Sequence, residues 1–250
     1  MDLRVAVRAL VKARAFSITG VTTLAVAIDA TTAIFSVVDG VLLRPLPCPD
    51  ADELVSVVAG VWPQAGGGDE APFSDRGYWH FVNVNRLFEA FGAYPAGNTQ
   101  WPLTSDGPPL QVDVGMMTAS AFELIGAFPQ RGRLPAAMED VPDGTDLVLI
   151  SDGLWVDRYG SDTDIIGQTI ELNGASREVI GVMPRRYNFS TPQTDVWIPQ
   201  QLDPASENFG GHHLAGIERL SDGVTIEAAG ANAESLIARF DEIGYGPQWF

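Results

Sequence analysis

From Phe16 to Val38 the chain reads FSITGVTTLAVAIDATTAIFSVV, with one charge, Asp29, in 23 residues. Arg4, Arg8, Lys12 and Arg14 stand just before it. A bilayer core takes about 20 mainly apolar helical residues and keeps a basic flank on the cytoplasmic side. The pattern predicts a transmembrane helix over residues 16–43, a cytoplasmic stretch over 1–15, and an extracytoplasmic body from 44 to 250. A cleaved signal peptide is the competing reading, because Ala25-Val26-Ala27 fits a processing site. The apolar character continues to Leu43, however, well past a signal core of roughly 7–15 residues.

On a helix, Thr22, Ala25, Asp29, Thr32 and Ser36 recur at steps of three and four and form one small, polar stripe. Leu24, Phe35, Val38 and Leu42 lie opposite. Small residues let helices approach closely and hydroxyls bond across such contacts, so the stripe is a candidate helix-packing face. A carboxylate near the middle of a span costs about 2.5–3.5 kcal/mol on insertion scales, so Asp29 should face protein or water. The alternative is a helix shifted along its axis, with Asp29 shallow. A proton relay lacks a second intramembrane ionisable group in this chain.

The formal net charge is −17, and it is uneven. Residues 1–44 carry five basic and three acidic groups, which leaves 10 basic against 29 acidic in the remainder, a net −19. An acidic exterior repels phosphate backbones, which argues against a nucleic-acid partner. The one cysteine, Cys48, excludes an intramolecular disulfide and a cysteine-based zinc site. Prolines on both sides make it a poor lipidation site.

Beyond Arg44, the run Pro45-Leu-Pro47-Cys-Pro-Asp50 cannot continue a helix, so Arg44, Pro45 and Pro47 are the candidate membrane-exit hinge. Leu54–Trp62 reads as one strand and residues 66–70 as a loop. Ser74 caps a helix reaching about Glu89, with Tyr78, Trp79, Val82 and Leu87 for its buried side. Leu110–Met116 alternates as a half-buried strand, and Ser120 with Glu123 forms a capping box for a short helix ending at Gly126. Leu147–Ile150 is a buried strand, followed by a helix from Ser151 to about Tyr159. Thr169–Leu172 and Glu178–Met183 flank Asn173-Gly174, a strong hairpin signal. Asp195–Ile198 and Leu214–Leu220 are further strands, and Val224 to about Ile243 a final helix. Helices and strands mix without a regular βαβ repeat, so the fold class is α+β: one N-terminal transmembrane helix, then a two-lobed mixed α/β body.

No catalytic pattern emerges. A P-loop is missing, and the sole lysine is Lys12. There is no Gly-x-Ser-x-Gly elbow. His80 falls on an apolar helix, and the adjacent His212 and His213 would point to opposite faces of a strand. Asp162-Thr-Asp164 opens like a calcium loop, but Ile166 and Asn173 stand where ligands are needed, which leaves a surface turn. The sequence assigns no catalytic, metal or cofactor residue and no cofactor.

Several segments together resemble MacB-type ABC transporter permeases. They are Thr32–Val38 with Asp39–Asp50, Ile125–Arg133 with Glu139-Asp140, Leu149–Trp155, Arg158–Gly160, Ile166–Gly174, Val179–Pro184, Asp195–Pro199 and Arg219–Thr225. The resemblance covers nearly the whole chain in order, and looks closest to the large, duplicated permeases of the group. It implies an inner-membrane helix with its N-terminus in the cytoplasm and a periplasmic core with an inserted lobe near residues 120–200. The implied partners are a cytoplasmic ATP-binding subunit, the remaining permease helices and a second permease in a dimer. Such permeases carry further membrane helices after the periplasmic core, so a chain ending at Phe250 is expected to be part of a longer permease. The implied function is coupling of a partner's ATP hydrolysis to periplasmic export or release of a substrate. A membrane-anchored sensor or binding module without an ATPase is the alternative reading. Trp155, Trp197, Gly126, Gly132, Gly167 and Gly174 are expected to hold the core and its turns.

Overall fold

The computed structural model of the chain describes residues 12–38, 53–57, 60–62, 69–85, 88–95, 97–185, 187, 193–207, 211–221, 223–237 and 239. They fall in two units, Met1–Pro47 and Cys48–Phe250, each described by itself.

The first unit contains α1 (Arg14–Val38), 25 residues long. At 1.5 Å per residue this is roughly 37 Å, so length is not what it lacks. Ser17, Thr19, Thr22, Thr23, Asp29, Thr31 and Thr32 dilute its apolar character. Among the described residues, no helix is long and apolar enough to cross a membrane. The polar load is partly self-contained. The hydroxyls of Thr19, Thr23 and Thr31 donate to the carbonyls of Ala15, Thr19 and Ala27, one turn earlier. Residues 39–43, the predicted end of the span, lie outside the described residues.

The second unit holds two main sheets. The smaller runs β1 (Leu54–Val57), β12 (Leu214–Leu220), β4 (Phe88–Pro95), all antiparallel. Over one face lie α2 (Asp75–Val84) and α5 (Ile226–Ile237). Phe73, Tyr78, Phe81, Ala93, Leu214 and Leu236 make the core there. Between β4 and β12 in chain order comes everything that builds the larger sheet. Its strands are β5 (Thr99–Leu103), β6 (Leu110–Met117), β7 (Arg131–Gly132), β8 (Leu147–Ser151), β9 (Thr169–Leu172), β10 (Ala175–Met183) and β11 (Val196–Pro199). Their order is β7-β10-β8-β11-β6-β5-β9. The first half of β10 also pairs with β9, so six strands close on themselves and β7 attaches to the second half of β10. Closure leaves few open edges, which protects a sheet from pairing with strangers.

The run Leu147-Val-Leu-Ile150 shows why the central strands are so apolar. Val148 and Ile150 enter one core with Val112, Val114 and Ile170, while Leu147 and Leu149 enter another with Phe122, Ile180 and Trp197. Side chains alternate along a strand, so a strand buried on both faces needs a continuous apolar run.

Several expectations are corrected. Leu54–Trp62 is not one strand: β1 joins β12, whereas β2 (Gly60–Trp62) pairs with β3 (Asp69–Ala71). Asp69 and Glu70, expected in a loop, therefore lie in a strand. The helix after Ser74 ends at Val84 rather than Glu89, and Phe88 onward is strand. Phe91 explains the early stop, since on β4 it packs its ring against Phe73, Tyr78 and Phe81. Ser120 is not a cap. Thr118 caps α3 (Ala119–Leu124) by accepting the Ala121 N–H, while Ser120 donates its hydroxyl to the Phe91 carbonyl. The Asn173-Gly174 hairpin forms with φ of 52° and 75°, the two positive values a type I′ turn requires.

Candidate functional site

Two features of the chain can act on other molecules or on its own shape: the bare face of α1 and the joint between the two sheets. On α1, Thr22, Ala25, Asp29 and Thr32 are exposed, and Ser36 lies in the same helix. Ile18, Val21, Leu24, Val26, Ile28 and Phe35 are exposed as well. Large apolar side chains exposed along a helix mark a surface for interaction with other apolar groups. Arg44, Pro45 and Pro47, the predicted hinge, lie outside the described residues.

The joint is built around α3. Thr118 ends β6, and its N–H donates to the Ala93 carbonyl of β4 at 2.9 Å. Its hydroxyl oxygen accepts the Ala93 N–H at 2.9 Å and the Ala121 N–H at 3.3 Å. One side chain thus ties β4 to the start of α3. Asp140 adds a second tie, with one carboxylate oxygen accepting from Ala119 N at 2.7 Å and the other from Gln201 N at 2.6 Å. Burial pushes the Asp140 carboxyl up, and these backbone donors oppose that. Arg219 of β12 donates to the Leu124 carbonyl at 2.7 Å and pairs with Glu53 at 3.3 Å. Between these ties β4 and α3 touch at Gly92, where a Cβ would stand 2.5 Å from the Ala121 Cα. The joint is close-packed and hydrogen-bonded on both sides.

Trp155 and Trp197 are buried, and the Trp155 indole N–H donates to the Asp162 carbonyl at 2.7 Å. Asp162 also caps the short 3₁₀ turn Thr163–Ile165, which accounts for the calcium-like sequence as a surface turn. Gly132 has φ 74°, and a Cβ there would lie 2.1 Å from the Ile180 carbonyl oxygen. Glycine alone lets β7 approach β10.

Two clefts adjoin at the start of α4 (Asp152–Tyr159), of about 320 and 410 Å³. Both are lined by Gly153, Asp157 and Asp195. Burial pushes the Asp195 carboxyl up, opposed by the Asp113 N–H that donates to it at 3.0 Å. The clefts are open and acidic, which makes them unsuited to phosphate or other anions. Among the described residues no three His, Cys, Asp or Glu side chains are placed to hold a metal ion.

Sequence reasoning passed over the most unusual titratable group. Glu218 on β12 is wholly buried, and Asn85 Nδ2 donates to its Oε1 at 3.2 Å. Among the described residues its Oε2 accepts no hydrogen bond. Burial pushes this carboxyl up from 4.5 to about 8, with the Asn85 bond pulling the other way. A signal existed in the alternation of Leu214, Gly216, Glu218 and Leu220, which puts Glu218 on the core face of the strand.

A mixed α/β body whose smaller and larger sheets meet at α3 is the class these observations define. The family model described as the MacB-like periplasmic core domain matches residues 17–236, and the chain belongs to that family, the periplasmic core of MacB-type ABC transporter permeases. The periplasmic region of MacB from Actinobacillus actinomycetemcomitans is similar in fold, with a TM-score of 0.56 and 14% identity, over 76% of this chain and 85% of that one. The extracellular domain of the noncanonic ABC-type transporter YknZ from Gram-positive bacteria has a TM-score of 0.56 at 13% identity, over 76% and 95%. A domain of a putative permease from Porphyromonas gingivalis has a TM-score of 0.51 at 18% identity, over 70% and 76%. Among curated proteins no sequence relative is found.

Proposed function

We propose that this chain is the N-terminal portion of an ABC permease, in which the folded body lies outside the cytoplasmic membrane and relays movement between membrane helices and a periplasmic substrate. The family match carries this reading, because it runs from α1 through both sheets to α5 without a break. In this reading residues 1–15 are cytoplasmic, residues 16–43 lie in the bilayer, and residues 44–250 form the core, with an inserted lobe near 120–200. A separate cytoplasmic subunit hydrolyses ATP, and two permeases pair.

α1 enters the bilayer as one helix of a bundle. A helix too polar to stand alone in lipid is stable there when neighbours cover its polar face. Thr22, Ala25, Asp29, Thr32 and Ser36 would form that face, and the self-bonded threonine hydroxyls lower the remaining cost. Arg44, Pro45 and Pro47 would set the angle at which the chain leaves. Closure of the ATPase subunits would then shift α1, and the core would follow as a rigid body between two arrangements. The close-packed joint around Gly92, Thr118 and Asp140 supports rigidity over bending.

The lone Cys48 provides the test. In intact spheroplasts, a membrane-impermeant maleimide should label Cys48 in the wild type. A D2C variant in a C48S background should stay unlabelled until lysis. Labelling of D2C from outside, or of Cys48 only after lysis, would overturn the orientation. The coupling is tested separately: reconstituted with its ATPase subunit, the permease should alter ATP turnover, and D29A should weaken that effect. An unaffected ATPase would leave an anchored binding module.

A further inference from the structure

We propose that the contact between Glu218 and Asn85 is a proton-controlled latch that holds α5 against the smaller sheet. The geometry is a relay of three side chains from three elements. Asn232 Nδ2 on α5 donates to Asn85 Oδ1 at 3.3 Å, and Asn85 Nδ2 in turn donates to Glu218 Oε1 at 3.2 Å. Asn85 is also the C-cap of α2, its N–H donating to the Phe81 carbonyl. The relay therefore runs from α5 through the end of α2 into β12.

Among the described residues the carboxyl at its inner end has one neutral partner, Asn85, and no cation. β1 presents no charge over residues 54–57. On β12, Arg219 bonds Glu53 and Leu124 at the opposite face. α2 carries Asp75, Arg76 and His80 and has no basic residue in its last turn. Asp75 faces His213 at 3.6 Å. α5 carries Glu227 in its first turn and the exposed Glu234, with no basic residue in its last turn. Glu89 of β4 lies outside the described side chains. Arg86 follows Asn85 outside the described residues. None of these described groups compensates an ionised Glu218.

A buried carboxylate without a cation regains stability by reaching water. Water reaches it most easily where the cover is held least. That cover is α5, which docks through Ala229, Ala233 and Leu236 plus the Asn232 bond. Two of those three apolar side chains are single methyl groups, so α5 has little burial to set against an ionised neighbour. Protonated Glu218 keeps the helix docked, and loss of the proton releases it. The latch needs no transport reading, since it concerns a contact within the core.

Hydrogen exchange of the full 250-residue chain in detergent, followed from pH 6 to 9.5 and corrected for intrinsic rates, tests it. In the wild type, protection in α5 should fall from pH 6 to about pH 8, by up to about tenfold per pH unit for one linked proton, and level off above that, while β8 stays protected. E218Q cannot ionise and should keep α5 protection level across the range. N232A should lower α5 protection at every pH and retain the slope. Equal pH profiles in wild type and E218Q would overturn the latch. So would an equal loss in α5 and β8 of the wild type, a comparison that stands even if E218Q fails to fold.

Discussion

Single residues at close contacts carry more of this structure than their size suggests. Gly92 sits where β4 meets α3, and a methyl group there would press on helix backbone rather than on a yielding side chain. G92A should therefore destabilise the chain by about 1–3 kcal/mol, the usual cost of forcing extra volume into a packed site. Gly97, a few residues on, has nothing within 4 Å of its Cβ position. G97A should be neutral or stabilising by a few tenths of a kcal/mol, because alanine restricts the unfolded chain. Denaturant titration of the two variants gives opposite signs if the β4–α3 contact is as tight as described, and similar values if it is not.

At the scale of elements, the sequence was most legible where local chemistry and burial agree. Asn173-Gly174 demands one kind of turn, and the strands on either side followed. Ser151 is expected to start a helix, and it stands as the N-cap, its hydroxyl accepting the Leu154 N–H at 3.1 Å. Legibility failed where a distant partner decides. β4 and β5 were not seen, because Phe88–Pro95 gains its strand state from β12 and its rings from α2. Ser120 with Glu123 has the spacing of a capping box, yet Thr118 holds the cap because β4 supplies a second bond to the same hydroxyl. The difference can be measured. T118V leaves the buried N–H of Ala93 without its acceptor and the Ala121 N–H with only the Thr118 carbonyl at 3.0 Å, and should cost about 1–3 kcal/mol. S120A loses the bond to the Phe91 carbonyl and the 3.0 Å contact with the Thr118 hydroxyl, keeps both Thr118 acceptor bonds, and should cost about 1 kcal/mol. T118S keeps the oxygen and should lie near the wild type. If S120A proved the more damaging of the pair, the cap would belong where the sequence pattern put it.

For the whole molecule, charge and burial push the pH dependence the same way. Most acidic groups are on the surface, and a net −17 works against compactness by self-repulsion. Three carboxyls, the buried Glu218 and the half-buried Asp140 and Asp195, are raised by desolvation. An acid raised in the folded state gives stability that is complete below its unfolded value and is lost as pH climbs through its folded value. For Glu218 that window opens near 4.5 and closes near 8. Across it the loss is on the order of 4 kcal/mol, or roughly 10 °C in Tm for a chain of this size. Glu139 works oppositely, since its bond to Arg133 holds it below the ordinary range. Its contribution vanishes only as pH falls below about 4.5, outside that window. The chain should therefore melt higher at pH 5.5 than at pH 8.5. Raising salt at pH 8.5 should recover the part due to surface repulsion, because salt screens exposed charges and leaves buried ones almost untouched. In E218Q the salt-resistant part should shrink and the salt-sensitive part should remain. Calorimetry at two pH values and two salt concentrations separates them. A melting temperature that climbed with pH in low salt would mean that neither effect governs this fold.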